Sequence, residues 1–328
     1  GEGPTVLFRA DFDGLPVQEA TGVPFASKNE GRMHACGHDM HTTALLGLCQ
    51  ILNESRDHWQ GTFIALFQPA EETASGAAAM VADGLTSRIP TPDVCFGQHI
   101  VAGQAGKIMS MPGPALAACD TITIELFGRS AHGSMPHDSI DPTFLAAMIV
   151  VRLQGIVGRE VSPEHFAVVT VGTLTSGHTN NTIPGSATLV LNCRFYDDDV
   201  KARTYAAIER VVRGECIASG CEKEPTFTYS NHGELTDNSP EVFSKVRPLF
   251  DAVFDDASVD AQRWTASEDF SEVPRAFGVP YFFWLIGANS DDADAPGNHM
   301  PHFLPDYEPV VSASNRAALA AVLAYLAV

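Results

Sequence analysis

The chain has 328 residues, 45% of them hydrophobic and 18% charged, a composition typical of a folded protein long enough for two domains. Its 20 Lys and Arg face 40 Asp and Glu, and the formal net charge of −20 disfavours nucleic acids and anionic membranes as partners because they are also negatively charged. The sequence shows no secretory signal and no apolar run long enough to span a bilayer, and its seven cysteines are scattered, so we expect a cytoplasmic protein.

The first third of the sequence alternates short apolar strands with helices. We predict strands at 5–13, 62–67 and 93–100, and helices at 38–53 and 76–83, where apolar side chains recur at helical spacing. Such alternation is typical of an α/β layer with a largely parallel sheet.

The middle third has a different character, because residues 121–127 alternate with the period of a half-exposed strand. Asp141 and Pro142 suit the N-cap and first turn of a helix that runs to 157. The remaining elements of this part are strands at 166–174, 187–195 and 225–229 and a helix at 197–219. The order β-α-β-β-α-β predicts a ferredoxin-like domain inserted at 114–231.

The α/β character returns after residue 231, with a helix at 240–254, a buried strand at 281–286 and a closing helix from 311. The sequence therefore predicts one α/β domain, formed by 1–113 and 232–328, that the smaller α+β domain interrupts.

The densest group of polar side chains is His34-Ala-Cys-Gly-His-Asp-Met-His41. If this stretch is extended, Cys36 and His38 leave the backbone on the same face and can bind one ion, and thiolate and imidazole are good ligands for zinc and related metals. His34 and His41 are interpreted as incidental histidines at the start of a helix.

Two adjacent carboxylates, Glu71 and Glu72, follow the second strand. Adjacent side chains of an extended chain point in opposite directions, so one could bind metal while the other acts as a general base. His99 and a histidine near the C-terminus, His299, are weaker candidates by themselves.

Several motifs, in one order along the chain, resemble the metallopeptidase family of aminoacylase and carboxypeptidase G, and most of all its amidohydrolase branch, with hippurate hydrolase and the auxin-amino-acid hydrolases. The matching segments are 9–16 (RADFDGLP), 34–41 (HACGHDMH), 67–72 (FQPAEE), 97–99 (GQH), 131–132 (AH), 136–137 (PH), 181–184 (NTIP), 267–270 (SEDF) and 299–301 (HMP).

The resemblance implies a site for two divalent ions, manganese or zinc before cobalt or nickel, with a bridging thiolate. The implied ligands are Cys36, His38, Glu72, His99 and His299. It further implies that Glu71 is the general acid and base, that Asp13 orients a metal ligand, and that the inserted domain is both a lid and the contact of a homodimer.

The inserted domain supplies three further residues by the same resemblance. His132 would reach the partner subunit's site and stabilise the oxyanion, while Asn181 and Arg194 would contact the substrate, a small N-acyl amino acid or peptide. In the family, a helix and strand region precedes the first strand that ends in acidic residues. This sequence begins almost directly with that strand, so the wall of the substrate pocket is expected to differ there.

Two alternatives from other classes of protein remain at this point. Cys36 could be a nucleophile activated by a nearby histidine, which predicts inhibition by thiol alkylation and indifference to chelators. The chain could also be a binding protein without activity, which the loss of an expected ligand or of Glu71 would support. All of these residues are present in the sequence.

Overall fold

The computed structural model of the protein describes residues 2–289 and 295–328. The chain divides into two compact units, each described here by itself. Unit 1 consists of Gly1–Ala115, Thr236–Trp264 and Glu268–Val328, and unit 2 of Leu116–Leu235 with Thr265–Ser267. The sequence prediction placed the corresponding boundaries after residues 113 and 231 and did not include the short segment 265–267.

The strands, in chain order, are β1 (Thr5–Asp11), β2 (Thr62–Gln68), β3 (Val94–Gln104), β4 (Ile108–Ser110), β5 (Gly113–Leu116), β6 (Ala118–Phe127), β7 (Ala131–His132), β8 (Ala167–Ser176), β9 (Thr182–Ile183), β10 (Ser186–Phe195), β11 (Thr226–Gly233), β12 (Thr236–Asn238), β13 (Ser258–Asp260) and β14 (Tyr281–Asn289).

The helices are α1 (His38–Glu54), α2 (Gly76–Ala82), α3 (Leu85–Arg88), α4 (Pro142–Arg159), α5 (Asp198–Ala218), α6 (Pro240–Phe254), α7 (Glu272–Phe277) and α8 (Tyr307–Leu326). Single 3₁₀ turns lie at Arg56–His58, Pro136–Asp138 and Asp255–Ala257.

Unit 1 is built on a sheet of order β13-β4-β14-β3-β1-β2. Strands β2, β1, β3 and β14 run parallel to one another, and β4 runs antiparallel to β14. Phe8, Phe96 and Trp284 lie in one buried apolar cluster with side chains of α1, α6 and α8. The carboxyl ends of β1, β2 and β3 therefore meet at one edge, where α/β sheets commonly place their ligands.

Unit 2 has an antiparallel sheet of order β11-β6-β10-β8, with α4 and α5 packed against it. Asp141 caps α4 as predicted: its carboxylate accepts from the backbone N–H of Thr143 and Phe144, and Pro142 begins the helix. The element order β-α-β-β-α-β and this strand order confirm the predicted ferredoxin-like fold inside an α/β protein.

No apolar segment was expected to be long enough to span a bilayer, and two helices contradict this expectation. By length and composition α4 and α8 could cross a bilayer, each with a mean hydropathy of 1.2 over its most apolar window. Their inward faces belong to the two apolar clusters, with Leu145, Ile149 and Leu153 in one and Val310 and Ala317 in the other. Core helices of globular domains are commonly as long and as apolar as a membrane span.

The predicted and observed elements differ mainly at their ends. The closing helix begins at Tyr307 instead of 311, and β14 continues to Asn289. Eight short elements of two to six residues were not predicted, because segments this short show no periodicity that distinguishes them from loops. They are β4, β5, β7, β9, β12, β13, α3 and α7.

Ile149 offers a test of the unit 2 core, since it is fully buried in the middle of α4. We expect Ile149→Ala to lower the free energy of unfolding by about 2–5 kcal/mol, because it removes three buried carbons and leaves a cavity, and Ile149→Val by about 1 kcal/mol. Urea denaturation followed by circular dichroism measures both. Equal stability of the Ala variant and the wild type would contradict this packing.

Candidate metal centre

Five side chains predicted as ligands converge in unit 1: Cys36, His38, Glu72, His99 and His299. The Cys36 Sγ lies 3.5 Å from the His99 Nε2 and 3.2 Å from the His299 Nε2. The Glu72 carboxylate joins both sides of the group, with one oxygen 3.5 Å from the His299 Nε2 and the other 3.9 Å from the His38 Nε2.

These separations fit metal ligation. At bond lengths of about 2.0–2.3 Å, two ligand atoms of one tetrahedral ion lie roughly 3.3–3.8 Å apart, close to the spacings in this group. The His38 Nε2 and the Glu72 Oε1 are buried and have no hydrogen-bond partner among the described residues. Buried polar atoms rarely remain without a partner, and a cation between these two would supply one.

Asp13 orients two of these ligands. One of its carboxylate oxygens accepts from the His38 Nδ1 at 3.1 Å, and the other accepts from the Glu72 backbone N–H at 3.1 Å. Because a carboxylate can only accept here, the Nδ1 of His38 carries a proton and its Nε2 faces the other ligands. Carboxylates commonly hold metal-binding histidines in this way.

The surroundings of the site carry an excess of buried negative charge. Burial lowers the pKa of His38, but Asp11 and Asp13 more than offset this and raise it to about 9. Burial and then the carboxylates of Glu268 and Asp11 raise the pKa of Glu71 well above its ordinary value. A pocket that retains protons in this way is suited to divalent cations.

One buried guanidinium offsets part of this charge. Arg9, on β1, donates to Asp11 at 2.6 Å, to Glu268 at 2.7 Å and to Asp269 at 2.9 Å. Its Nε also donates to the Gln68 side chain at 2.8 Å, and Gln68 in turn donates to Asp269 at 2.6 Å. The network ties the ends of β1 and β2 to the segment that follows residue 267.

Two of the sequence predictions assumed an extended backbone that the structure does not have. Cys36 and His38 do not share an extended stretch, because Gly37 is left-handed (φ 77°) and His38 begins α1. A Cβ on Gly37 would lie 2.1 Å from the Ile100 side chain, so a residue with a side chain could not replace it without a shift. The two ligands reach the site from either side of this turn.

Glu71 and Glu72 likewise lie in a turn after β2 and not in an extended chain. Both reach the same imidazole: Glu71 Oε2 lies 3.7 Å and Glu72 Oε1 3.9 Å from the His38 Nε2. The turn contains left-handed residues at Ala70 (φ 55°) and Ala74 (φ 47°), a strained conformation that is common at functional sites.

The other predicted residues lie in unit 2. His132 is exposed on β7, where its Nδ1 pairs with the Ser134 hydroxyl at 2.7 Å. Strand β7 pairs with β9, and the Gly133 N–H donates to the Asn181 carbonyl at 2.7 Å, so the structure brings His132 and Asn181 together. Arg194, on β10, donates to the Thr265 carbonyl at 2.6 Å.

Some residues of the site were not recognised in the sequence. Arg9, Glu268 and Asp269 lie in the quoted motifs, but no role was given to them; an arginine inside an apolar strand is the signal that could have drawn attention. Trp264 lies beside the site, with its ring centroid 6.5 Å from that of His99, and is partly exposed. Nothing in its sequence context indicates this position.

Comparisons with known proteins cover most of the chain. The model of Peptidase family M20/M25/M40 matches residues 7–320. The chain is 36% identical to Bacillus subtilis YhaA over 324 residues, 98% of this chain and 80% of the relative. It is 36% identical to the hippurate hydrolase of Campylobacter jejuni over 265 residues, 80% of this chain and 68% of the relative.

Among solved structures, the Bacillus subtilis YXEP protein, a dinuclear metal binding peptidase from the M20 family, superimposes with a TM-score of 0.79 at 29% identity. The match covers 98% of this chain and 82% of that one. All five candidate ligands lie within the segment that the family model matches.

A substitution of Cys36 tests the candidate centre. We expect Cys36→Ala to weaken metal binding at least tenfold, since even residues that only support metal ligands contribute about 10–100-fold to affinity. Metal retained after dialysis against a weak chelator, measured by mass spectrometry, gives the comparison. Cys95→Ala is the matched control, because Cys95 is also buried in unit 1 but lies near the start of β3 and in no group of potential metal ligands among the described residues. Equal metal content in both variants would exclude Cys36 as a ligand.

Proposed function

The chain belongs to peptidase family M20/M25/M40 and is a metal-dependent amidohydrolase or peptidase; on that premise we propose that it cleaves N-acylated amino acids or short peptides at a centre of two divalent ions. The observation that carries the proposal is the convergence of Cys36, His38, Glu72, His99 and His299 in unit 1. Hippurate, the substrate in the name of one relative, is itself an N-acylated amino acid.

The donor set supports zinc or manganese, with cobalt and nickel as alternatives, because it combines a thiolate, imidazoles and a carboxylate. Cys36, Glu72 and His299 form one group of potential ligands, His38, Glu71 and Glu72 form another, and Cys36 also lies 3.5 Å from the His99 Nε2. These side chains would hold the ions. The ions would supply Lewis-acid activation of water and of the amide carbonyl.

Glu71 is proposed as the general acid and base. Its carboxylate lies 3.7 Å from the His38 Nε2, and burial followed by Glu268 raises its pKa well above its ordinary value. A carboxylate with raised proton affinity can take a proton from the attacking water and deliver it to the nitrogen of the leaving amine. The same carboxylate thus serves both steps of the hydrolysis.

The alternative of a cysteine nucleophile is disfavoured by the surroundings of Cys36. Burial and the nearby carboxylates Glu72 and Glu71 raise the pKa of its thiol. Nucleophilic cysteines need the opposite, a thiolate stabilised by positive charge. The same carboxylates favour a cation at this position, and a bound cation would allow the thiol to give up its proton.

In unit 2, His132 is proposed to stabilise the oxyanion and Asn181 to contact the substrate, supported by their adjacency on the β7–β9 pair. Arg194 is proposed to hold a substrate carboxylate, for which a guanidinium is well suited. The enzyme is proposed to be cytoplasmic, with no nucleic acid or membrane partner, in keeping with its net charge of −20.

We also propose that unit 2 forms the contact of a homodimer. Strand β8 is at the edge of its sheet, where unpaired backbone groups can join a second copy. Phe144 and Val151, seven residues apart on one face of α4, are each more than 60% exposed. An edge strand beside an exposed apolar helix face is a suitable surface for a symmetric contact.

The role of Glu71 can be tested by Glu71→Gln, which keeps the shape of the side chain but cannot accept a proton. We expect kcat on a panel of N-acetyl and N-benzoyl amino acids to fall by about 10²–10⁴-fold, the usual contribution of general acid–base catalysis. Metal content should stay at two ions per chain. Chelation should abolish wild-type turnover, and Glu72→Gln, as the comparison, should lose metal as well as activity. Unchanged kcat in Glu71→Gln would refute the assignment.

The dimer contact predicts that Val151→Glu shifts the protein from dimer to monomer, because it places a charge in an apolar contact. Light scattering after gel filtration gives the mass of each species. Ile217→Glu is the control, since Ile217 is a more exposed apolar residue, on α5 and away from β8. A monomeric wild type, or an equal effect of both substitutions, would contradict the proposed surface.

A further inference from the structure

Two of the candidate ligands, His38 and His99, form a buried group of four side chains with Asp11 and His41. One ligand atom from each lies within 4.8 Å of all the others. Proximity alone allows two interpretations of His41, either as a ligand of a further ion or as part of a hydrogen-bonded support. The direction of the hydrogen bonds distinguishes them.

Both ring nitrogens of His41 are engaged. The backbone N–H of Ile100 donates to the His41 Nε2 at 2.9 Å. A peptide nitrogen can only donate, so this Nε2 has no proton, and the Nδ1 carries the proton of the neutral ring. The Nδ1 donates to one oxygen of Asp11 at 2.5 Å, and the other oxygen accepts from Arg9. No lone pair of His41 is left for a metal ion.

The backbone of Ile100, which His41 holds through its N–H, also sets the orientation of a predicted ligand through its carbonyl. The carbonyl of Ile100 accepts from the His99 Nδ1 at 2.7 Å and from the Asn298 side chain at 3.0 Å. The proton of His99 is therefore on Nδ1, and its Nε2 faces the Cys36 Sγ. Asn298 immediately precedes His299, so the same carbonyl also helps to fix the segment that carries a second predicted ligand.

The packing around His41 leaves little freedom for this arrangement. Its ring stacks on that of His38, with centroids 5.5 Å apart, and meets the ring of His99 edge-on at 4.6 Å. The ring is almost fully buried. A displacement of His41 would therefore move the Ile100 backbone and with it the imidazole of His99.

We propose that His41 is a positioning residue of the metal centre, which orients His99 through the Ile100 backbone and is itself held by Asp11, to which Arg9 also donates. The inference rests on the proposed function, because it assumes that His99 binds one of two ions. It assigns to His41 a role in metal affinity without assigning it a bond to metal.

The test compares two substitutions in the full-length protein. His41→Leu removes both hydrogen bonds at similar volume, whereas His41→Gln can still accept from Ile100 and donate to Asp11. We expect the zinc affinity, measured by competition with a chromophoric chelator, to fall about 10–100-fold in the Leu variant and less than fivefold in the Gln variant. Saturating zinc should remain two ions per chain in both. The visible spectrum of the cobalt-loaded Leu variant should shift, because His99 is reoriented.

The control is His165→Leu in unit 2, at an exposed histidine that lies in no group of potential metal ligands among the described residues. It should leave zinc affinity and the cobalt spectrum unchanged. If His41→Leu does not fold, His41→Met replaces it, with the folded state checked by urea denaturation of the metal-free protein.

Two outcomes would overturn the positioning role. Equal affinities of the wild type and the Leu variant would show that the Ile100 backbone does not need His41. A loss of one ion per chain at saturation would show that His41 is itself a ligand. A wild type that binds no zinc would instead refute the proposed function, so the two failures can be distinguished.

Discussion

The candidate site depends on one buried charge, the guanidinium of Arg9. Asp11, Glu268 and Asp269 are all almost fully buried, and carboxylates without a partner would cost several kcal/mol each to remove from water. Arg9 donates to all three and, by its position on β1, also joins them to Gln68 at the end of β2. The ends of two strands and a distant loop thus share one cation, and this allows polar groups to concentrate where the sheet meets the site.

Arg9 does not neutralise the whole site, and the remaining negative charge has a chemical consequence. The carboxylates of Glu71, Glu268 and Asp269 have oxygens within 4.8 Å of one another, so protonation of Glu71 is favoured over a further buried charge. Proton retention at Glu71 and attraction of cations to the neighbouring ligands are therefore two effects of one excess charge. Metal binding in such a pocket adds to the stability of the folded state, because the unfolded chain has no preformed site.

The sequence predicts most of the fold and the chemical identity of the site, because long motifs and periodic segments carry that information locally. The helix at 240–254 and the N-cap at Asp141 agree with the structure residue by residue. The failures concern information that is not local. The left-handed turn at Gly37 replaced the extended geometry assumed for Cys36, and His41 looked incidental because its partner, the Ile100 N–H, is 59 residues away.

Backbone strain at the ligands explains why the surrounding fold must be rigid. Glu71 and Glu72 lie between the left-handed residues Ala70 and Ala74, and His299 is itself left-handed at φ 69°. Each such conformation costs on the order of 1–3 kcal/mol and persists only where neighbouring contacts fix it. The carboxylate of Asp13 fixes the first segment through the Glu72 N–H, and the Ala35 carbonyl fixes the second through the His299 N–H at 2.7 Å. Backbone hydrogen bonds thus fix the two strained segments that carry Glu72 and His299, so the positions of these ligands do not depend on their side chains alone.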